Sequence, residues 1–244
     1  LDKVPDHASI NESVEIIKRI QGEKIAGVVN GVLRNIARNI ENIRYPNKEE
    51  DVVYYYTIMQ SHPRWMVKRW IDLFGENDAV RLLEANNRKP SLVIRVNKLK
   101  SDISEIKNTL ASLGIEFAVS PYIEESLKII SKGFDITSLI LFSEGKIAVQ
   151  DTSALLAVRL AHAKPGNRIL DLCAAPGGKS FSLADSIKDD GTIIAVDKYP
   201  SKLRFIEEGI KRLGIKSIQI MEEDASIVNF EDLFDLVFVD VPCA

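Results

Sequence analysis

Apolar positions recur with two different periods along this chain, and the change of period divides it. Residues 7–44 follow helical spacing. Val14, Ile17 and Ile20 fall on one stripe, with Asn11 as the expected N-cap and Gly22 as an interruption. Ile25, Val28, Val29, Val32, Leu33 and Ile36 form a second, broader apolar face, and Arg34, Arg38 and Arg44 lie off it. Two helices cannot close a core, so the segment reads either as the back end of a helical domain or as an appendage packed on the rest. A polar, proline-containing link follows at 45–51. Ser61 is the expected cap of the next helix, with Pro63 in its first turn. Trp65, Val67, Trp70, Ile71, Leu73 and Phe74 form its apolar set, the tryptophans being expected in the core, and Gly75 ends it. Ala79, Leu82, Leu83 and Ala85 continue as another helix.

From residue 91 the period shortens. Strands are predicted at 92–96, 115–119, 127–130 and 147–149, with an amphipathic helix at 103–113 stopped by Gly114. This is a small α+β module of RRM-like size, yet its strands lack the aromatic pair that an RNA-reading sheet stacks on bases. A helix capped by Asp151 or Thr152 then leads through Leu155, Leu156, Val158 and Leu160 into a strand at 168–172. Beyond it strands at 193–196, 217–221 and 235–239 alternate with helices, including one capped by Ser201 and stopped by Gly214. This alternation requires βαβ units and a mostly parallel, Rossmann-like α/β sheet. The expected division is 1–45 partial helical domain, 46–90 helical linker, 91–149 α+β module and 150–244 α/β domain.

Composition changes this picture little. The 244 residues carry a net charge of −3, which gives no global attraction to nucleic acid. Residues 61–100 depart from that average, with nine basic residues (Arg64, Lys68, Arg69, Arg81, Arg88, Lys89, Arg95, Lys98, Lys100) against four acidic ones. The excess is a modest sign of phosphate contact. No apolar run can span a bilayer and no signal peptide opens the chain. Cys173 and Cys243 do not make a disulfide framework, so a reducing cytoplasm is expected. The chain opens on Leu1 and stops at Ala244 after an apolar strand, which reads as a fragment trimmed at both ends.

The chemistry concentrates in RILDLCAAPGGK (168–179). A strand, a small-residue turn and a helix start leave backbone N–H groups free to meet a polar ligand. Such sheets bind ligands off the carboxyl ends of their strands. The turn at 173–179 and the residues Asp197, Asp224 and Asp240 all fall at predicted strand ends. Asp197 follows Gly177 by 20 residues, the usual place for a carboxylate on a ribose hydroxyl pair. The turn lacks the first glycine of G-x-G-x-x-G, so an adenosine cofactor without phosphates, such as S-adenosylmethionine, fits better than a dinucleotide. Asp224 could reach an adenine amino group. Lys179 could neutralise a carboxylate, pair with Asp171 or face solvent.

DLCAAPGGK (171–179), Asp197, Asp224 and DVPC (240–243) together resemble the RNA cytosine-C5 methyltransferases. Within them the chain is similar to bacterial 16S rRNA enzymes with a NusB-like N-terminal domain. VVNGVLR (28–34), SHPRWMV (61–67), LVIRVN (92–97) and VQDTS (149–153) extend the likeness over nearly the whole sequence. The resemblance implies a monomeric, cytoplasmic, S-adenosylmethionine-dependent enzyme acting on 16S rRNA through a cysteine adduct at C6 of the base. It implies cofactor contacts from Cys173, Ala174, Ala175, Pro176, Gly177, Gly178, Lys179, Asp197, Asp224 and Asp240, with Asp240 also oriented on the base. Cys243 matches the cysteine that assists product release. The attacking cysteine of the family lies in a later Thr-Cys motif with no match here, so Cys243 is the nucleophile only if the chain is complete. The alternatives are a nucleotide-cofactor oxidoreductase, or a fragment that binds cofactor and RNA without turnover. No metal site is expected.

Overall fold

A computed structural model describes residues 4–241, which fall into two compact units, 1–89 and 90–244. In the first, α1 (Asp6–Gln21) and α2 (Glu23–Arg38) form a hairpin turned at Gly22. The N-cap of α1 is Pro5, whose carbonyl accepts from Ala8 and Ser9 N–H. Asn11, the expected cap, therefore lies inside the helix: proline's fixed φ starts the turn earlier than a polar cap would. The apolar face of α2 is open along Ile25, Val28, Val32 and Ile36, and Ala26 is the buried residue of that helix.

A second pair, α3 (Val52–Met59) and α4 (Arg64–Asn87), has its own small core of Tyr56, Val67 and Leu83. Asp51 caps α3 by accepting from Tyr54 N–H at 2.8 Å. The helical path of α4 is broken at Gly75. Its cap is Pro63, while the expected cap Ser61 takes a left-handed turn at φ 52°. The tryptophans also depart from expectation. Trp70 packs partly against the core, but Trp65 is 64% exposed, because two residues turn a helix by about 200° away from buried Val67.

The second unit holds two sheets. β1 (Val93–Val96), α5 (Ile103–Ser112), β2 (Phe117–Val119), β3 (Ser126–Ile129), α6 (Ile140–Ser143) and β4 (Ile147–Val149) build an antiparallel sheet of order β2-β3-β1-β4. Asp102 caps α5 through Ser104 and Glu105 N–H, and Ile106 and Leu110 cover Ile94, Val96, Leu127 and Ile147. Alternation sends Arg95 to the other face, where it is 1% exposed. One member of the basic run is thus a core residue. Arg64, Lys68 and Arg81 of that run pair with Asp51, Asp72 and Asp78.

After α7 (Thr152–Leu160), capped by Asp151, come β5 (Arg168–Asp171), α8 (Gly178–Ser186), β6 (Thr192–Asp197), α9 (Pro200–Leu213), β7 (Ile218–Glu222) and β8 (Leu236–Phe238). These strands are parallel throughout, in the order β7-β6-β5-β8. Tyr199 caps α9 with Pro200 at its first position, so Ser201 lies within the helix. Ile169, Leu183, Ile187, Ile193 and Ile206 fill one face of the sheet, and Leu170, Ile194 and Val196 the other. The order reverses direction at β5, with β6 on one side and β8 on the other. That reversal opens a crevice at the carboxyl end of β5, where the small-residue turn sits. The antiparallel sheet is tied to this layer through the last carbonyls of α9. Asn97 Nδ2 donates to Leu213 O at 3.1 Å and Lys100 Nζ to Arg212 O at 2.9 Å.

Candidate functional site

The turn after β5 is held from both neighbouring strands. Leu172 N–H donates to Phe238 O at 3.0 Å and Ala174 N–H to Val196 O at 2.9 Å. Gly177 then adopts φ 104° as the N-cap of α8. Beneath it lies the Phe181 ring: a Cβ at Gly177 would fall 2.5 Å from Phe181 Cζ, and one at Gly209 of α9 only 2.2 Å from it. Both glycines therefore serve packing, with the left-handed φ an added requirement at Gly177.

Asp197 ends β6, buried, and its carboxylate reaches back to the turn. Oδ2 accepts from Ala175 N–H at 3.3 Å and Oδ1 from Tyr199 N–H at 3.1 Å. Asp224, just past β7, accepts from Ser226 N–H and Oγ, and these bonds hold its carboxyl below the usual range. Lys198 Nζ stands 3.7 Å from it. Asp240, past β8, is paired with Lys179 of α8. Lys179 thus neutralises Asp240 rather than Asp171.

Cys173, Ala175, Asp197, Asp224 and Asp240 line one cleft of about 540 Å³ with Lys198, Tyr199 and Lys202. That volume is in the range of small-ligand sites, roughly 300–1,000 Å³. Ala174, Pro176, Gly178 and Lys179 line an adjoining pocket of about 140 Å³, which shares Cys173, Ala175 and Asp240 with the cleft. Gly177, expected among the cofactor contacts, lines neither. Cys243 lies outside the described residues. Tyr199 carries Lys202 Nζ 4.7 Å from its ring centre and Lys198 Nζ at 5.2 Å.

The sequence presents Asp171 as a strand residue opening DLCAAPGGK and as a candidate partner of Lys179, not as a site residue, yet it lines the smaller pocket. It is 1% exposed; Oδ2 accepts from Ser180 Oγ at 2.7 Å and Oδ1 has no partner. Burial pushes its carboxyl above the ordinary 3.8, against the lowering bond from Ser180. The folded chain therefore holds this proton over a pH range where the unfolded chain has lost it. Stability from this group falls as pH rises through that range. Asp171→Asn should raise the melting temperature at pH 7, and the gap should close as pH falls to about 3.8, read by scanning calorimetry. The Cys173 thiol is also pushed up, first by burial and then by Asp197, Asp171, Asp240 and Asp224, so it stays protonated. Among the described residues no group of His, Cys, Asp and Glu could hold a metal ion.

Three family models match the chain: NusB family over residues 1–38, the RsmF/B-like ferredoxin-like domain over 62–137, and 16S rRNA methyltransferase RsmB/F over 158–244. The chain is 38% identical to the probable ribosomal RNA small subunit methyltransferase B of Bacillus subtilis, covering 100% of itself and 54% of that protein. It thus spans about half the length of the curated relatives it matches. A solved methyltransferase homologue from Pyrococcus horikoshii is 28% identical, with a TM-score of 0.71 over 79% of this chain and 63% of that one. NSun6 from the same organism, solved with SFG, shares the fold at 21% identity and a TM-score of 0.68, over 74% of this chain and 71% of its own. The likeness to these proteins bears out the Rossmann-like α/β expectation. No described helix is long and apolar enough to cross a membrane.

Proposed function

We propose, from its match to the 16S rRNA methyltransferase RsmB/F model over residues 158–244 and its likeness to small subunit methyltransferase B, that the chain forms the cofactor- and base-binding part of an enzyme that methylates C5 of a cytosine in 16S rRNA. One observation carries the reading. A small-residue turn and three aspartates from separate strand ends meet on one cleft.

The residues fit S-adenosylmethionine. Asp197 takes the ribose hydroxyl pair and Asp224 the adenine amino group. The backbone of the turn takes the amino-acid end, beside Lys179 and the unpartnered Oδ1 of Asp171. When bound, the cofactor supplies an electrophilic methyl group on its sulfonium. The target base enters beside Asp240, which is held by Lys179 and accepts from its exocyclic amine. Addition of a cysteine thiolate to C6 makes C5 nucleophilic, and loss of the C5 proton later expels the thiolate. A protonated Cys173 does not serve as that thiolate. Cys243 is assigned to product release by its place in the DVPC motif alone.

Titration calorimetry of the chain with S-adenosylmethionine and, separately, with NADH tests the cofactor. Saturable binding of the first alone is expected; binding of NADH alone would replace this reading with an oxidoreductase. Label from a methyl-labelled donor in any 16S rRNA base other than cytosine would remove the cytosine assignment.

A further inference from the structure

Gln150, between β4 and α7, is buried beneath the first turn of α8 and its amide is bonded on both sides. Nε2 donates to Gly178 O at 3.0 Å. Oε1 accepts from Ser182 Oγ at 2.6 Å and from Arg95 Nε at 3.1 Å. Arg95 is anchored in turn by Asp185 Oδ2 at 2.9 Å. The antiparallel sheet thus reaches through one side chain to the peptide that opens α8.

That peptide is Gly178–Lys179. In a trans peptide the C=O and N–H point in opposite directions, so a bond that fixes the Gly178 carbonyl also fixes the Lys179 N–H. This N–H belongs to the first helical turn, where no intrahelical acceptor exists. The same residue's side chain holds Asp240, and both line the smaller pocket. Ser182 adds a second restraint, since its hydroxyl also approaches Gly178 O at 3.1 Å.

We propose that Gln150 is a positioning residue: through Gly178 it aims the N–H and side chain of Lys179 at the amino-acid end of the bound methyl donor, so that the antiparallel sheet completes a site on the parallel one. The inference rests on the cofactor reading above and adds Gln150, which borders the smaller pocket with Asp171 and Asp240.

Adenosine and S-adenosylmethionine separate this role from a structural one, because adenosine lacks the amino-acid end. In the full chain, Gln150→Glu keeps the acceptor for Arg95 and Ser182 but loses the donor to Gly178. It should weaken S-adenosylmethionine binding about tenfold, near the loss of one hydrogen bond, while adenosine affinity stays within about twofold. Ser182→Ala, which leaves a good helix former in α8, should shift the same affinity in the same direction by about threefold. Unchanged S-adenosylmethionine affinity in both variants would overturn the inference. So would a parallel loss of both ligands together with a lowered melting temperature. If the unsubstituted chain binds neither ligand, the cofactor reading itself falls and takes this inference with it.

Discussion

Asp185→Ala should destabilise the C-terminal unit by about 3–5 kcal/mol, the largest stability loss expected of one substitution here. Its carboxylate bonds Arg95 at 2.9 Å, and both side chains are almost wholly out of water. Burial disfavours the charge on each partner, raising the aspartate's pKa and lowering the arginine's, so the pair survives only by mutual attraction. Removing the carboxylate leaves a guanidinium in the core with Gln150 as its remaining hydrogen-bond partner. The double substitution Arg95→Met, Asp185→Leu should recover most of the loss, because an apolar pair needs no compensation there. Urea unfolding followed by far-ultraviolet circular dichroism measures both. Tryptophan fluorescence would miss the effect, since Trp65 and Trp70 lie in the N-terminal unit. A loss below about 1 kcal/mol for the single variant would mean that water reaches the pair.

Asp197→Ala should weaken S-adenosylmethionine binding on the order of 100-fold. A carboxylate on a ribose diol makes charge-assisted hydrogen bonds, and this one also braces the turn through Ala175 N–H. Two contributions are then lost at once: the ligand contact and the bond that holds the turn against β6. Asp197→Asn separates them, since an amide oxygen still accepts from Ala175 while the charge is gone. Calorimetry should place its affinity between the two. An alanine variant that binds as tightly as the unsubstituted chain would remove the ribose from this end of the cleft.

The fold was legible where local pattern and burial agree. The central strands β5 and β6 are near-continuous apolar runs ended by aspartates and are buried on both faces, whereas the edge strands β7 and β8 are buried only in part. Helix starts were less legible. Asn11, Ser61 and Ser201 are good capping residues, but at each site a proline nearby, Pro5, Pro63 or Pro200, sets the start instead. A polar cap stabilises a helix by about 1 kcal/mol, and a restricted φ in the preceding segment can outweigh it.

The site divides in the same way. Asp197, Asp224, Asp240 and the turn were readable because sheet topology sends every carboxyl end of a parallel strand to one rim, whatever the packing. Ser182 and Asp185 carried no local signal, Gln150 stood out only within VQDTS (149–153), and Arg95 only within LVIRVN and a basic run. Each is an ordinary polar residue with partners 28 to 90 positions away, apart from the bond of Ser182 to Gly178 within α8. The sequence by itself determined which atoms reach the rim, since periodicity and chain direction are local properties. Which polar groups are buried against one another was decided only when two sheets packed and excluded water, because a hydrogen bond's value depends on the solvent its partners lose.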